Sequence, residues 1–201
     1  MTYEQKKVII RYLLYLLTFL TFISLFFKIW FITGVNILIT TLTIYYYIHI
    51  DKIKETTLCL IVKNEKVLMM LRNKKKNDVH KNKYNGLGGK LEKGESKAEC
   101  VLREVYEEAG IKLIKYNYVG KVTFKNFGYQ KGTEVMYCFV GYNYEFEIGH
   151  CNEGELQWID IDKILGLPLW EGDQYFIMNI IENKPFNLYL HYDEDKVIGI
   201  K

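Results

Sequence analysis

Three glutamates, Glu104, Glu107 and Glu108, lie within one short stretch whose spacing suits a helix that gathers carboxylates on one side. At about 100° per residue, Glu107 falls about 60° to one side of Glu104 and Glu108 about 40° to the other. Like charges this close repel and raise one another's proton affinity unless a cation sits among them. Hard oxygen donors of this kind suit Mg²⁺ or Mn²⁺ better than zinc. An acidic amphipathic helix on its own would present the same residues as a solvated face. The surroundings argue for chemistry instead: a Gly88-Gly89-Lys90 turn precedes the cluster, Glu95 stands ahead of Arg103, and Gly110 follows closely.

These residues need a helix of defined length to position them. Ser96 with Glu99 forms a capping box, and Gly110 supplies a left-handed stop. Val101, Leu102, Val105 and Ala109 make an apolar stripe that predicts burial against a sheet, with the carboxylates turned to a cleft. Short strands supply that sheet. Residues 56–62 and 66–72 flank Asn64-Glu65 as a hairpin, and further strands are expected at 118–124 and 134–144. A second helix is expected from about 171 to 182, after Pro168. Strands with helices between them imply an α/β sandwich.

The stretch matches the pattern G-x5-E-x7-R-E-U-x-E-E-x-G-U, with U a bulky apolar residue, at Gly89, Glu95, Arg103, Glu104, Val105, Glu107, Glu108, Gly110 and Ile111. This resembles the Nudix box, and the match is complete. The resemblance implies a Nudix α/β/α sandwich with a mixed sheet over residues 55–201. It also implies hydrolysis of a nucleoside diphosphate linked to a further moiety. The run from Tyr84 to Lys90, the run from Asn152 to Trp158 and the run from Leu169 to Asp173 are similar to MutT-like enzymes that hydrolyse oxidised purine nucleoside triphosphates. By that resemblance Glu104, Glu107, Glu108, Glu153 and the backbone carbonyl of Gly88 bind Mg²⁺, with Mn²⁺ as the alternative. Glu104, and after it Glu107, removes a proton from the attacking water. Asn85 and Asp173 meet the base edge, Trp170 stacks on or walls the purine, and Lys90 contacts phosphate. Arg103 and Glu95 pair to hold loop on helix. One position departs: Gly172 stands where relatives carry the first of two adjacent aspartates. The products implied are a nucleoside monophosphate and pyrophosphate.

Residues 1–54 differ in character. Residues 12–27 carry no charge, nor do residues 29–48 after the lone Lys28. A membrane helix needs about 20 apolar residues, so the tract has room for a transmembrane helical hairpin with spans at about 8–31 and 35–50. Gly34 and Asn36 are the expected turn, Lys28 the expected snorkelling charge, and Tyr45, Tyr46 and Tyr47 an interfacial belt. Lys6, Lys7 and Arg11 before the first span, and Lys52 and Lys54 after the second, put both ends in the cytoplasm. This predicts a multi-pass cell-membrane protein with its catalytic domain facing the cytoplasm. A single span remains the alternative and would reverse the domain.

The rest of the composition narrows the function. Cys59, Cys100, Cys138 and Cys151 lack any C-x-x-C pair and read as reduced thiols, and the four histidines lack ligand spacing. A net charge of +3 with no recognition motif excludes nucleic acid as a partner. Nucleoside triphosphate and the lipid bilayer are the partners implied. Two further readings stay open: a membrane-tethered hydrolase of another nucleoside or lipid-linked diphosphate, and a non-catalytic nucleotide-binding regulatory module.

Overall fold

The computed structural model describes residues 2–27, 30–49, 53–76, 78–128 and 131–201. The chain divides into two compact units, Met1–Lys52 and Ile53–Lys201.

The first unit is a pair of helices, α1 (Tyr3–Phe27) and α2 (Trp30–His49), packed on each other. Ile10 and Leu17, seven residues apart, are buried in α1, as a helical stripe requires. The membrane expectation needs correction here. Among the described residues no helix is long and apolar enough to cross a membrane. The described part of α1 includes Lys6, Lys7 and Arg11, while Thr40, Thr41, Thr43 and three tyrosines dilute α2. Gly34 and Asn36, expected as a turn, lie within α2. Lys28 and Lys52 fall outside the described residues.

Alternation builds the second unit. Strand β1 (Ile53–Lys63) sends Leu58 and Leu60 into one apolar core and Cys59 and Ile61 into another. Strand β2 (Lys66–Leu71) does the same with Val67 and Met69 against Leu68. Both faces are covered, so these strands read as continuous apolar runs. Between them Asn64 (φ 51°) and Glu65 (φ 57°) are both left-handed, as a two-residue hairpin turn demands, and Ile61 pairs with Leu68.

There follow β3 (Tyr84–Asn85), α3 (Lys97–Ala109), β4 (Lys112–Lys125), β5 (Thr133–Glu145), β6 (Glu155–Asp160), α4 (Ile177–Ile181), β7 (Phe186–Asp193) and β8 (Lys196–Ile200). The sheet order is β3-β2-β1-β5-β4-β7-β8, with β6 paired to β2. The β1·β5 and β4·β7 pairs are parallel and the rest antiparallel, so the sheet is mixed. Helix α3 covers one face through Val101, Val105 and Ala109. A 3-10 segment, Ile161–Gly166, and α4 cover the other through Ile164, Ile177 and Ile180. Strands β6, β7 and β8 complete the sheet beyond the strands expected.

The second expected helix is broken. A 3-10 turn, Asp173–Tyr175, and α4 are separated by Phe176, whose φ of −134° leaves the helical region. The Phe176 ring is buried between Phe124 (6.4 Å) and Phe186 (6.2 Å), so core packing overrides local helical preference there.

The box helix starts and stops as its sequence requires. Ser96 accepts from the Glu99 amide (3.2 Å), Glu99 accepts from the Ser96 amide (2.9 Å), and Gly110 is left-handed at φ 70°. Removing the cap in Ser96→Ala lowers stability by about 1 kcal/mol. Denaturant unfolding should show an earlier midpoint at unchanged slope, and an unmoved midpoint would deny the cap this role.

Candidate active site

The site begins with a gap in the sheet. Strand β2 pairs with β1 only from Ile61↔Leu68 to Lys63↔Lys66, leaving the earlier half of β1 open on that edge. The glycine turn fills it, because buried backbone groups need partners. Cys59 and Leu87 exchange both backbone bonds (2.6 and 3.0 Å), and the Thr57 amide donates to Gly89 O (2.8 Å). The approach is tight: at Gly88, φ 146°, a β-carbon would lie 2.2 Å from Thr57 O. Only glycine fits this conformation.

Helix α3 lays its carboxylates on that turn. A β-carbon at Gly89 would fall 2.4 Å from the Glu104 carboxyl carbon, so Glu104 occupies the space glycine leaves free. Glu108 is buried, and its Oε2 accepts from the Gly88 amide at 2.8 Å. Glu107, expected beside them, is exposed and meets Arg103 Nη1 at 3.3 Å. Arg103 grips Glu95 with two bonds (2.8 and 2.9 Å), Glu104 with a third (2.7 Å), and also donates to Lys90 O (3.2 Å). The guanidinium pulls Glu95 down to about 2. Lys90 itself is exposed at the end of the turn.

Glu153 arrives from the far side of β2. It precedes β6, which pairs with β2, so it stands next to Arg72 just past the end of β2. Arg72 Nη2 is 2.7 Å from Glu153 Oε2, and Lys75 Nζ bonds its other oxygen. Burial works upward on this carboxyl, but the Lys75 bond and the Arg72 charge hold it below its ordinary value. Among the described residues no group of three or more His, Cys, Asp or Glu side chains is arranged to hold a metal ion. Arg103, Arg72 and Lys75 supply the positive charge instead. The donor chemistry still fits a hard divalent cation. Burial, and after it the Glu153 and Glu104 charges, push Glu108 up to about 8 against the Gly88 hydrogen bond. Such carboxylate repulsion is what a cation relieves.

A second wall forms beside β3. Lys83 Nζ donates to Leu169 O (2.9 Å) and the Tyr84 amide to Pro168 O (3.0 Å), so the strand carrying Asn85 is tied to the segment carrying Trp170 and Asp173. Trp170 is buried, with the edge of Phe127 at 4.7 Å between ring centroids and Lys83 Nζ 4.7 Å from its own ring centroid. Asp173 Oδ2 accepts from the Trp170 amide at 2.9 Å. Desolvation pushes the Asp173 carboxyl up to about 7, against that bond and the Lys83 charge.

The departure at Gly172 has a structural reason. A β-carbon there would fall 2.2 Å from the Tyr192 hydroxyl, which accepts from the Gly172 amide at 2.9 Å. Tyr192, on β7, fills the room that an aspartate side chain would need. Tyr192, Phe127, Arg72 and His80 are site-lining residues that sequence reasoning missed. They come from separate elements and belong to no local pattern, so no spacing signal marks them.

The NUDIX domain model matches residues 52–180. The chain is 33% identical over 147 residues to an oxidized purine nucleoside triphosphate hydrolase of Danio rerio, covering 72% of this chain and 90% of that one. It is 30% identical over 128 residues to an uncharacterised Nudix hydrolase of Bacillus subtilis, covering 62% of this chain and 77% of that one. Among solved structures, the mutator MutT protein of Bacillus halodurans superposes with a TM-score of 0.64 at 25% identity, covering 74% of this chain and 96% of that one. The chain therefore belongs to the Nudix family and is a Nudix hydrolase. Enzymes of this family generally use a divalent metal such as Mg²⁺.

Two outcomes follow. Gly172→Ala forces the Tyr192 hydroxyl aside and costs about 1–3 kcal/mol, read as an earlier unfolding midpoint; full stability would mean that Tyr192 moves freely. The raised Asp173 carboxyl binds its proton more tightly in the folded state than the ordinary 3.8 of an unfolded chain. Its contribution is complete below that value and is lost as pH rises toward about 7. In thermal melts across this range, Asp173→Asn should remove part of the decline; identical slopes would show the carboxyl is not desolvated.

Proposed function

We propose that the chain is a Mg²⁺-dependent nucleoside triphosphate pyrophosphohydrolase acting on oxidised purine nucleotides, converting 8-oxo-dGTP to 8-oxo-dGMP and pyrophosphate. The observation that carries this reading is the meeting of Glu104 and Glu108 with the Gly88-Gly89 turn, where a carboxylate lies against backbone with no side chain between. The name of the Danio rerio relative supports the substrate.

Glu104, Glu107, Glu108, Glu153 and the Gly88 carbonyl hold the cation in this reading, with Mn²⁺ as a substitute for Mg²⁺. When bound, it neutralises phosphate charge and lowers the pKa of a coordinated water. The chain's own groups do the rest. Glu104 takes the proton from the attacking water, with Glu107 as the next choice. Lys90 offers a point charge to phosphate. Arg103, clamped to Glu95, orients Glu104. Trp170 walls the purine, while Asn85 and Asp173 meet its edge. A half-buried polar pair of this kind discriminates because the wrong base leaves it unpaired.

The localisation we propose draws on the N-terminal unit. Tyr12, Leu16, Phe19 and Phe22 of α1, and Ile37, Leu38 and Leu42 of α2, are exposed. Apolar surface of this kind, next to Lys6, Lys7 and Arg11, suits an anionic lipid surface on the cytoplasmic side, where nucleotides and Mg²⁺ are.

Incubating the full chain with Mg²⁺ and a nucleotide panel, and following pyrophosphate release, tests the activity. Preferred turnover of 8-oxo-dGTP supports it. Preference for a lipid-linked diphosphate, or binding without release, would replace it with a different enzyme or a regulatory module. Glu104→Gln should lower kcat by about 10²–10⁴-fold with an unchanged circular dichroism spectrum; an unaltered rate would remove Glu104 from the chemistry.

A further inference from the structure

His80 lies outside every motif of the box, yet it faces the proposed purine wall. Trp170 Nε1 donates to His80 Nδ1 at 2.9 Å, and the two rings meet edge to face with centroids 6.0 Å apart. An indole nitrogen only donates, so His80 Nδ1 must be bare and its proton must sit on Nε2. The backbone of His80 is anchored by Asp78. Asp78 Oδ1 accepts from the His80 amide (2.9 Å), and Asp78 Oδ2 accepts from Arg72 Nε (2.6 Å). Arg72 in turn grips Glu153 (2.7 Å), so one chain of bonds runs from a metal-loop carboxylate to the indole. Phe127 closes the other side of His80 with ring centroids 5.9 Å apart.

We propose that His80 is a positioning residue for substrate binding: its unprotonated Nδ1 fixes the Trp170 indole at the angle at which it meets the purine. This rests on the reading of Trp170 as the purine wall. Phe127 and Lys83 pack on the faces and edges of the Trp170 ring, and the Nε1–His80 bond adds a directional tie at the indole nitrogen. That bond sets the direction in which the indole N–H edge points, while packing holds the ring in place. Protonating His80 turns Nδ1 into a donor facing another donor and breaks the bond. The charged groups around the ring are Asp78 and Arg72 behind it, Glu134 of β5 and Lys54 of β1, which pair with each other, and Lys83 and Asp173 at the indole. Burial first, then Arg72, lowers the His80 pKa below 6.5, so the neutral form prevails near neutrality.

The test uses the full chain and the purine triphosphate that turns over best in the nucleotide panel. His80→Leu removes the acceptor and should raise KM about tenfold with kcat within about twofold. His80→Asn keeps an acceptor near the place of Nδ1 and should restore most of the affinity. In the parent protein KM should rise as pH falls through the His80 pKa, and the Asn variant should lack that rise. Nitrogen NMR of the parent should report an unprotonated Nδ1, a measurement independent of whether any variant folds. An unchanged KM in His80→Leu, an Asn variant as impaired as Leu, or a protonated Nδ1 overturns the inference. Trp170→Ala separates the two levels. If it raises KM while His80→Leu does not, His80 alone loses its role; if it leaves KM unchanged, the purine wall fails and the inference with it.

Discussion

A backbone turn pressed against a carboxylate-bearing helix is the constraint on which the rest of this molecule depends. Gly88 and Gly89 leave no room for a side chain because Thr57 O and the Glu104 carboxyl already occupy it. The gap on β1 that admits the turn exists because β2 diverges after a short antiparallel stretch. Sheet geometry, glycine and helix face thus form one unit, and moving any of them separates the carboxylates from the backbone they meet.

Electrostatics completes that unit. Glu108 is buried among carboxylates and resists ionisation, while Arg103, Arg72 and Lys75 hold Glu95, Glu104 and Glu153 from outside. Buried charge without partners is costly, so each acid has either an amide or a cation near it. Arg72 has a further use. It bonds Glu153 on one side and Asp78 on the other, which joins the carboxylate cluster to the aromatic wall. The two ends of a substrate would therefore meet a single mechanically linked surface.

The wall around Trp170 shows how the pattern can change at one position while the frame is kept. Gly172 and Tyr192 are complementary, since the hydroxyl fills what the glycine vacates. Asp173 is the one acid left at this pair of positions, desolvated and bonded to the Trp170 amide. In the proposed reading, selectivity would depend on how a few polar atoms are fixed by their neighbours, rather than on a pair of acids.

Local signals in the sequence were enough for the box helix, its cap at Ser96, its stop at Gly110 and the hairpin at Asn64-Glu65, because each depends on residues within a turn of one another. The Arg103–Glu95 pair was legible through the box pattern, and the apolar stripe of Val101, Val105 and Ala109 through helical phase. The broken second helix was not, since the burial of Phe176 against Phe124 and Phe186 is a contact across the sheet. Nor was the exposure of Glu107, which helical phase alone could not tell from Glu108. The N-terminal tract reads as two membrane spans by its lack of charge, whereas the described helices are too polar to cross. Arg72, His80, Phe127 and Tyr192 entered the site only through tertiary structure. Apart from Asp78, which is local to Arg72 and His80, their partners Glu153, Trp170 and Gly172 lie far away in the chain, and long-range pairing is decided by packing and buried hydrogen bonds that no local spacing encodes.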